Sequence, residues 1–299
     1  MATYTDSSDA VGYFGPETVT WQLYREPLFI LGGVRALILQ IAHPAVADGV
    51  ARFSNFQQDP FGRGYRTFQA MATIYFGDKA QAEATAGRLW RIHTAIKGDI
   101  PTPDTGRQAY TANDPELLLW VLATLTDTTL RVYEWLPASG LPTDWRERFY
   151  EESKIAAGLL GIPEAVYPAN LEAFRAYFDD MLAGDRLGAT ETCREVAQAI
   201  ISHPRSPERL ARLLAAGWLP GPLCERLGID AGNNPEVRLK NLLGRVRWWY
   251  RLLPRMRFNP AYWQAKGRIA EANGTFGPVL GRWYNWLARF VNIPLGLSA

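Results

Sequence analysis

The chain has 299 residues, of which 47% are apolar and 21% charged, so it can bury a substantial core and has the charge content of an ordinary globular protein. The formal net charge of +2 gives no argument for nucleic-acid binding, and the two cysteines, Cys193 and Cys224, are too few for a disulfide framework. Residues 1–10 lack the basic and apolar regions of a signal peptide, so a cytoplasmic location is expected.

Two apolar stretches, residues 28–42 and 117–125, come close to the length of a membrane span. Both are shorter than the roughly 18 residues that a transmembrane helix needs. They are therefore interpreted as helices buried in a large core. The 11 tryptophans favour wide apolar pockets in addition to that core.

A polar residue followed by proline recurs along the chain and marks helix starts, because the polar side chain caps the helix and proline has no N–H to leave unbonded. With glycine and proline stops, these signals predict helices at 16–42 (one helix or a pair), 59–77, 80–97, 114–135, 143–161, 170–182, 191–202, 206–216, 234–253 and 259–273. Residues 99–110 are predicted to form a loop rich in proline and glycine. Long alternating runs and hairpin turns are missing from the sequence, which predicts an all-α fold of about ten helices.

No internal repeat divides the chain, so we expect a single globular domain spanning residues 1–299. Its core is predicted at roughly 13–216 and a C-terminal helical extension at roughly 234–299. The loop 219–234 is the weakest join between the two.

The helix that begins at Asp59-Pro60 carries Arg63, Arg66 and Thr67 on one face, because these positions are three and four residues apart. In a structural interpretation the arginines form surface salt bridges and the threonine bonds back to its own helix. In a functional interpretation the arginines pair with haem propionates or polarise a bound oxidant, and the threonine donates a hydrogen bond.

The three histidines are His43, His93 and His203. His93 shares a helical stripe with three apolar residues, Leu89, Ile92 and Ile96, so its imidazole should face the core. Such a histidine is more often a structural residue than a ligand. Zinc would need three or four closely spaced ligands, and an iron site of two histidines and a carboxylate has no local signature here. Haem needs one protein ligand in an apolar and aromatic pocket, which His93 satisfies with the fewest assumptions.

Residues 238–268 contain nine lysines and arginines and no acidic residue, together with Trp248, Trp249, Tyr250, Phe258, Tyr262 and Trp263. A basic, aromatic helix pair of this kind suits peripheral contact with a membrane surface. It suits equally well an acidic face of its own domain or the mouth of a pocket. Since a groove-reading motif is missing, nucleic acid is not an expected partner.

Motifs of other enzyme classes are missing. The sequence contains neither the GxSxG of a nucleophile elbow nor the GxGxxG or GxxxxGK[ST] of dinucleotide and phosphate sites. Serine-hydrolase, nicotinamide and nucleotide chemistry therefore have no basis in this sequence.

The stretch LILQIAHPAVADGVARFSNFQQDPFGRGYRTF, at 37–68, resembles the AHP, G-V, DP and R-x-x-R-T blocks of a known family. FGDKAQA, RLWRIHTAIKG and YTANDPELLLWVLATL follow in the same order. The family is that of the bacterial latex-clearing proteins (rubber oxygenases) and the fungal mpaB-type oxygenases. The resemblance covers roughly residues 13–182, with a looser likeness at 239–259.

This resemblance implies an all-α fold with a globin-like core that holds haem b, and oxidation with dioxygen such as cleavage of an isoprenoid C=C bond. Carried over by position, His93 would be the proximal iron ligand, and Arg63 and Thr67 would lie in the haem pocket. Arg66 stands where some family members have a lysine that ligates iron in a closed state. Arginine keeps its proton, which argues against that state here. The catalytic acid of the rubber enzymes has no clear counterpart, since Ala47 stands at the comparable distance with Asp48 beside it.

The preferred hypothesis is a haem b-dependent oxygenase that acts with dioxygen on an apolar small molecule. Arg63, Arg66 and Thr67 would line the open face of the haem or anchor its propionates, and His43 is the rival ligand or a distal acid–base group with a pKa suited to neutral pH. The alternatives are a non-catalytic haem or apolar-ligand binding protein and a haem-dependent dehydrogenase. The sequence determines neither the substrate nor the oligomeric state.

Overall fold

The structure, a computed structural model, describes residues 10–54, 60–102, 106–136, 141–203, 207–230, 232–252, 259–273 and 277–291. These residues form fourteen α-helices, one 3₁₀-helix and one two-stranded sheet, which confirms the all-α class. Helices begin where the polar-proline pairs predict them, at Pro60, Pro115, Pro235 and Pro260. In two of these, Asp114 and Asn259 accept a hydrogen bond from the backbone N–H of the second residue of the helix, as a cap should.

The first nine helices are α1 (Val19–Tyr24), α2 (Gly33–Ala42), α3 (Pro44–Phe53), α4 (Pro60–Phe76), α5 (Lys79–Thr94), α6 (Pro115–Trp135), α7 (Trp145–Leu159), α8 (Leu171–Ala183) and α9 (Glu191–Ile201). The remaining five are α10 (Glu208–Ala216), α11 (Gly221–Arg226), α12 (Pro235–Leu252), α13 (Pro260–Ala272) and α14 (Gly277–Val291). The 3₁₀-helix occupies Pro27–Gly32, so the predicted helix at 16–42 is three separate segments. Helices α3 and α11 are additional to the predicted ones, and α14 lies within the C-terminal helical extension predicted at roughly 234–299.

The predicted loop at 99–110 is wrong. Strands β1 (Lys97–Thr102) and β2 (Gly106–Thr111) pair antiparallel, with Lys97 opposite Thr111 and Thr102 opposite Gly106. Only Ile100 is buried among the described residues of this ribbon, so neither face carries the apolar alternation by which a strand is recognised in a sequence.

The core is organised around α2 and α6. The indole Nε1 of Trp120 on α6 donates to the Leu39 carbonyl of α2 over 3.1 Å, and its ring stacks on Phe178 of α8. The guanidinium of Arg35 on α2 is fully buried and lies 2.5 Å from the Asp127 carboxylate of α6. These contacts fix α2, the helix that leads into His43.

The hydrophobic core continues beyond the predicted division of the chain. Leu239 and Leu243 of α12 and Ala265 of α13 belong to the same buried cluster as Phe14. Arg268 on α13 donates from Nε to the Ala10 carbonyl, which ties the C-terminal helices to the start of the described chain. The division into a core and an extension stays a prediction, as does the globin-like arrangement implied by the resemblance.

None of the described helices is by itself long and apolar enough to cross a membrane. The segments Leu28–Ala42 and Pro44–Phe53 meet the length and composition criteria only when taken together, and they are bent by 101° at their junction.

Candidate functional site

Helix α4 has a buried stripe that opens towards its N-terminus. Ala70 and Ile74 are buried on this stripe, and Thr67, one turn earlier, is half-buried. Arg63 continues the stripe by helical spacing, but its side chain lies outside the described residues. Arg66 lies at the edge of the stripe and is exposed. The face of α4 that the sequence predicts as a site therefore continues a packed face, and its side chains become more accessible to solvent towards the N-terminus of the helix.

Along α5 burial also decreases within one stripe, but here it decreases from the N-terminus towards the C-terminus. Ala82 is fully buried and Ala86 nearly so, while Leu89 and His93, which continue the stripe towards the C-terminus, are half-buried. The expectation that Ile92 shares this stripe is wrong, because its side chain is 53% exposed. The imidazole of His93 thus lies at the rim of a packed face and not deep within the core.

The last turn of α5 is held in place by Asn113, which lies in the link between β2 and α6. Its Nδ2 donates to the Trp90 carbonyl over 3.2 Å and to Thr94 Oγ1 over 3.0 Å. The backbone N–H of Ala112 donates to the Ile96 carbonyl over 3.0 Å. Bonds from one neighbouring segment therefore brace the turns on both sides of His93.

The sharp elbow between α2 and α3, with His43 at its corner, contacts α4 and the segment that directly follows α5. On the α2 side, a Cβ at Gly64 of α4 would lie 3.7 Å from Leu37 Cδ1. On the α3 side, a Cβ at Gly49 would lie 3.4 Å from Cγ2 of Ile96, which follows α5. The elbow therefore joins the Arg66–Thr67 end of α4 to the His93 end of α5.

His43 has a structural role in this elbow. Its Nδ1 accepts a hydrogen bond from the Ala45 backbone N–H over 3.3 Å and so caps α3. Burial, assisted by the charge of Arg186 and opposed by that of Asp114, lowers the pKa of His43 from 6.5 to about 4. The expected pKa near neutrality is thus corrected: at pH 7 the ring is neutral, and Nε2 carries its proton because Nδ1 is an acceptor.

A carboxylate cluster, formed by Asp48, Arg52 and Tyr110 at the ribbon that follows α5, is not predicted from the sequence. Asp48 Oδ2 on α3 accepts from the Tyr110 hydroxyl of β2 over 2.6 Å and from Arg52 Nη1 over 3.2 Å. Burial and the bond to Asp48 raise the pKa of Tyr110, so its hydroxyl stays protonated. A Cβ at Gly98 would lie 2.8 Å from atoms of all three side chains, so this close arrangement requires glycine at that position. The cluster packs α3 against the ribbon that directly follows α5.

Ala47 and Asp48 differ in surroundings although they are adjacent. Ala47, at the distance where the rubber enzymes have their acid, is fully buried in the core. Asp48 lies about 100° further round α3 and faces the ribbon. The one-residue difference therefore moves the carboxylate to another face of the helix.

Four large apolar side chains in the candidate region are exposed to solvent. They are Phe53 on α3, Tyr65 on α4, and Trp90 and Ile92 on α5, each between 45% and 53% exposed. They do not form one continuous apolar patch, because Trp90 and Ile92 are two residues apart and therefore lie about 200° from each other on α5. Tyr65 is likewise on the opposite side of α4 from Thr67, and the Trp90 ring packs against Gly161.

The donor set fits a cofactor that needs one protein ligand. Within the described ranges, three or more histidine, cysteine or acidic side chains do not cluster in a way that could hold a metal ion. Haem requires a single axial nitrogen, apolar walls and cations for its propionates. His93, the exposed Trp90 one turn before it, and the exposed Arg66 are residues of the required kinds on adjacent helices.

The comparisons with known proteins agree with the resemblance seen in the sequence. The family model described as ER-bound oxygenase mpaB/B'/rubber oxygenase, catalytic domain, matches residues 21–251. Two curated relatives, uncharacterized proteins of Mycobacterium tuberculosis and Mycobacterium bovis, are each 27% identical over 227 residues, covering 73% of this chain and 87% of theirs. No solved structure matches the chain. The matched range contains both candidate helices, the elbow and the carboxylate cluster, and the chain belongs to the mpaB/rubber oxygenase catalytic-domain family.

Proposed function

We propose that this protein is a haem b-dependent oxygenase that uses dioxygen to oxidise an apolar small molecule. Membership of an oxygenase family supports an enzyme that acts on a small molecule with dioxygen. The observation that carries the haem assignment is that two packed stripes become accessible at their ends, at Thr67 on α4 and at His93 on α5, with the exposed Trp90 one turn before His93. A buried stripe that ends in a half-buried histidine presents one imidazole to an apolar surface, which is what a haem with one protein ligand needs.

The roles proposed for the residues follow from their chemistry. The neutral imidazole of His93 would ligate the iron, and Arg63 and Arg66 would pair with the propionate carboxylates. Thr67 would donate a hydrogen bond towards the open face of the site. When bound, the haem supplies the binding and activation of dioxygen. The exposed aromatic and aliphatic side chains would exclude water from the apolar substrate.

His43 is proposed as a neutral hydrogen-bond donor through Nε2–H and not as a proton carrier. With its pKa lowered to about 4, it does not exchange a proton near pH 7. Asp48 is proposed as a positioning residue, since its bond to Tyr110 holds the ribbon that follows His93. Both assignments place these residues in the support of the site.

The haem assignment is tested by the absorption spectrum of the purified protein, reconstituted with haem where necessary. We expect a Soret band that is lost in His93→Ala and retained in His43→Asn, since asparagine can also cap α3. A band that survives His93→Ala but disappears in His43→Asn would transfer the ligand role to His43. Protein that binds neither haem nor iron after reconstitution would contradict the proposal.

A second candidate function, a haem-binding protein without catalytic activity, is favoured by one observation. The position that corresponds by distance to the acid of the rubber enzymes is the fully buried Ala47. Mass spectrometry of unsaturated isoprenoids incubated with the holoprotein under ¹⁸O₂ separates the candidates. Gain of two labelled oxygen atoms supports cleavage, loss of two hydrogens indicates a dehydrogenase, and unchanged substrate favours the binding protein.

A further inference from the structure

Helix α14 uses one face to pack against α13. Tyr284 stacks on Trp263 of α13 with ring centroids 5.6 Å apart, and Asn285 Nδ2 donates to Glu271 Oε1 over 3.3 Å. The two helices approach so closely that a Cβ at Gly281 would lie 2.2 Å from Glu271 Cγ. This glycine-mediated contact determines which face of α14 packs on α13 and which face points away.

The opposite face of α14 is apolar and exposed. Val279, Leu280, Trp283 and Trp286 are each between 48% and 57% exposed. At 100° per residue these positions cover an arc of about 120° on a helix roughly 22 Å long. Gly281 and Tyr284 lie on the other side of the helix. An apolar arc of this width, containing two tryptophans, has the form of a helix that lies in the plane of a membrane interface.

The sequence of the C-terminal part of the chain is strongly basic. Residues 238–299 contain 11 lysines and arginines and a single acid, Glu271, whereas residues 1–237 contain 21 basic and 29 acidic residues. Glu271 is occupied by its bond to Asn285. Arg282 is exposed on α14 at the border of the apolar arc. The C-terminal fifth of the sequence is therefore complementary in charge to an anionic surface, and Arg282 and Lys266, whose ammonium lies 5.8 Å from the Tyr284 ring centroid, bring two of its cations to α14.

We propose that α14 docks this protein on an anionic lipid bilayer. Val279, Leu280, Trp283 and Trp286 would insert at the boundary between headgroups and acyl chains, and Arg282 would contact acidic headgroups. Pairing of α14 with a second copy would bring two strongly basic regions together, whereas an anionic bilayer compensates the same charge. Tryptophan suits this location because its ring is apolar and its N–H can remain hydrated.

This proposal relocates the membrane contact expected at 238–268. Among the described aromatic side chains of that segment, Trp263 is buried against Tyr284 and Tyr262 is half-buried, which leaves Trp248 as the exposed one. Trp249, Tyr250 and Phe258 lie outside the described side chains. The segment would contribute its positive charge, and α14 would provide the apolar face. The docking does not depend on the haem assignment.

The test is co-sedimentation of the full chain with vesicles of phosphatidylcholine alone or mixed with phosphatidylserine. We expect binding to the mixed vesicles, weakened about tenfold or more by the double substitution Trp283→Ser and Trp286→Ser. Arg282→Gln should weaken it about fivefold, since one basic residue near an anionic surface contributes about that factor. The control is Ile155→Ser with Leu210→Ser, which alters exposed apolar residues on α7 and α10. Circular dichroism and thermal melting establish that each variant is folded.

Binding that is equal in the parent and in the tryptophan variant would overturn the proposal, as would a parent protein that sediments with neither vesicle. Binding lost to the same extent in the control variant would also overturn it. If the parent does not bind vesicles but forms a dimer that the tryptophan substitutions dissociate, the occupant of this face is a second copy. Arg282→Gln leaves the apolar face intact, so it keeps the test decisive if the double variant does not fold.

Discussion

Polar side chains are enclosed at the α2–α6 contact, whereas on the α4–α5 pair they lie where the packed surface becomes accessible to solvent. In the first, Arg35 is fully enclosed and its guanidinium donates to Asp127, to Thr128 Oγ1 over 2.6 Å and to the Trp218 carbonyl over 3.4 Å. In the second, the packed stripes end in half-buried Thr67 and His93 beside exposed apolar rings. The comparison shows that this fold fixes its geometry in one place and leaves accessible apolar surface in another.

The largest effect is expected from Arg35→Met. Removing the guanidinium leaves Asp127 with one partner, the half-exposed Arg131, and breaking a buried ion pair costs about 3–5 kcal/mol. Urea unfolding monitored by circular dichroism measures the loss. Arg131→Met is the matched control, since Arg131 Nε contacts the same Asp127 oxygen over 3.1 Å but is accessible to solvent, and it should cost less than about 1 kcal/mol. If both variants lose the same free energy of unfolding, burial does not make the Arg35–Asp127 pair more important for stability than the Arg131–Asp127 pair.

His43 makes stability depend on pH at the elbow. Its pKa is lowered in the folded protein from 6.5 to about 4, so the unfolded chain binds a proton that the folded chain excludes. The stabilisation is complete above pH 6.5 and is lost as the pH falls towards 4, by about 3 kcal/mol in total. Urea unfolding at several pH values should show a shallower slope in His43→Asn. His203→Asn, a substitution outside the elbow, should retain the slope of the parent, and an unchanged slope in His43→Asn would contradict the assignment.

Two substitutions on the stripe of α5 that contains Ala82 and His93 should distinguish a residue that packs in the core from a residue that binds a ligand. Ala82→Leu adds volume at a fully buried position and is expected to destabilise the protein by about 1–3 kcal/mol. His93→Ala, at the half-buried end, should leave the stability of the haem-free protein within about 0.5 kcal/mol of the parent. Thermal unfolding of haem-free protein measures both. A His93→Ala variant that loses as much stability as Ala82→Leu would identify His93 as a packing residue.

The smallest effect concerns the carboxylate cluster. Tyr110→Phe removes the hydroxyl that donates to Asp48 over 2.6 Å, and we expect a loss of about 1 kcal/mol in the free energy of unfolding. If Asp48 positions the ribbon after His93, the Soret maximum of the haem-bound form should also shift. Tyr13→Phe removes a comparable bond to Glu83 at the surface, and it should change neither the stability by more than about 0.5 kcal/mol nor the spectrum. Identical spectra of Tyr110→Phe and the parent would contradict the positioning role.

The misjudged elements share a physical cause. Pro44 follows the predicted helix at 16–42 as a proline stop, yet it is also the first residue of α3. This helix is capped by the imidazole of His43 in place of a usual capping side chain. The ribbon β1–β2 lacks an apolar face because only Ile100 among its described residues enters the core. Helix α14 begins with Gly277-Pro278, so the sequence has no polar residue directly before the proline to mark the start of this helix. In each case the local signal was weak and the element depends on its neighbours.

Helix starts, the all-α class and the shared face of Leu89 and His93 could be determined from the sequence, because caps and helical periodicity involve residues within about four positions of each other. The tertiary structure alone decided where those stripes leave the core, why His43 is neutral at pH 7 and that Asp48 meets Tyr110. These properties depend on burial and on contacts between residues far apart in the chain, 62 positions in the case of Asp48 and Tyr110. Periodicity in the sequence shows which side chains share a face, whereas only the packed neighbours determine how far water reaches along it.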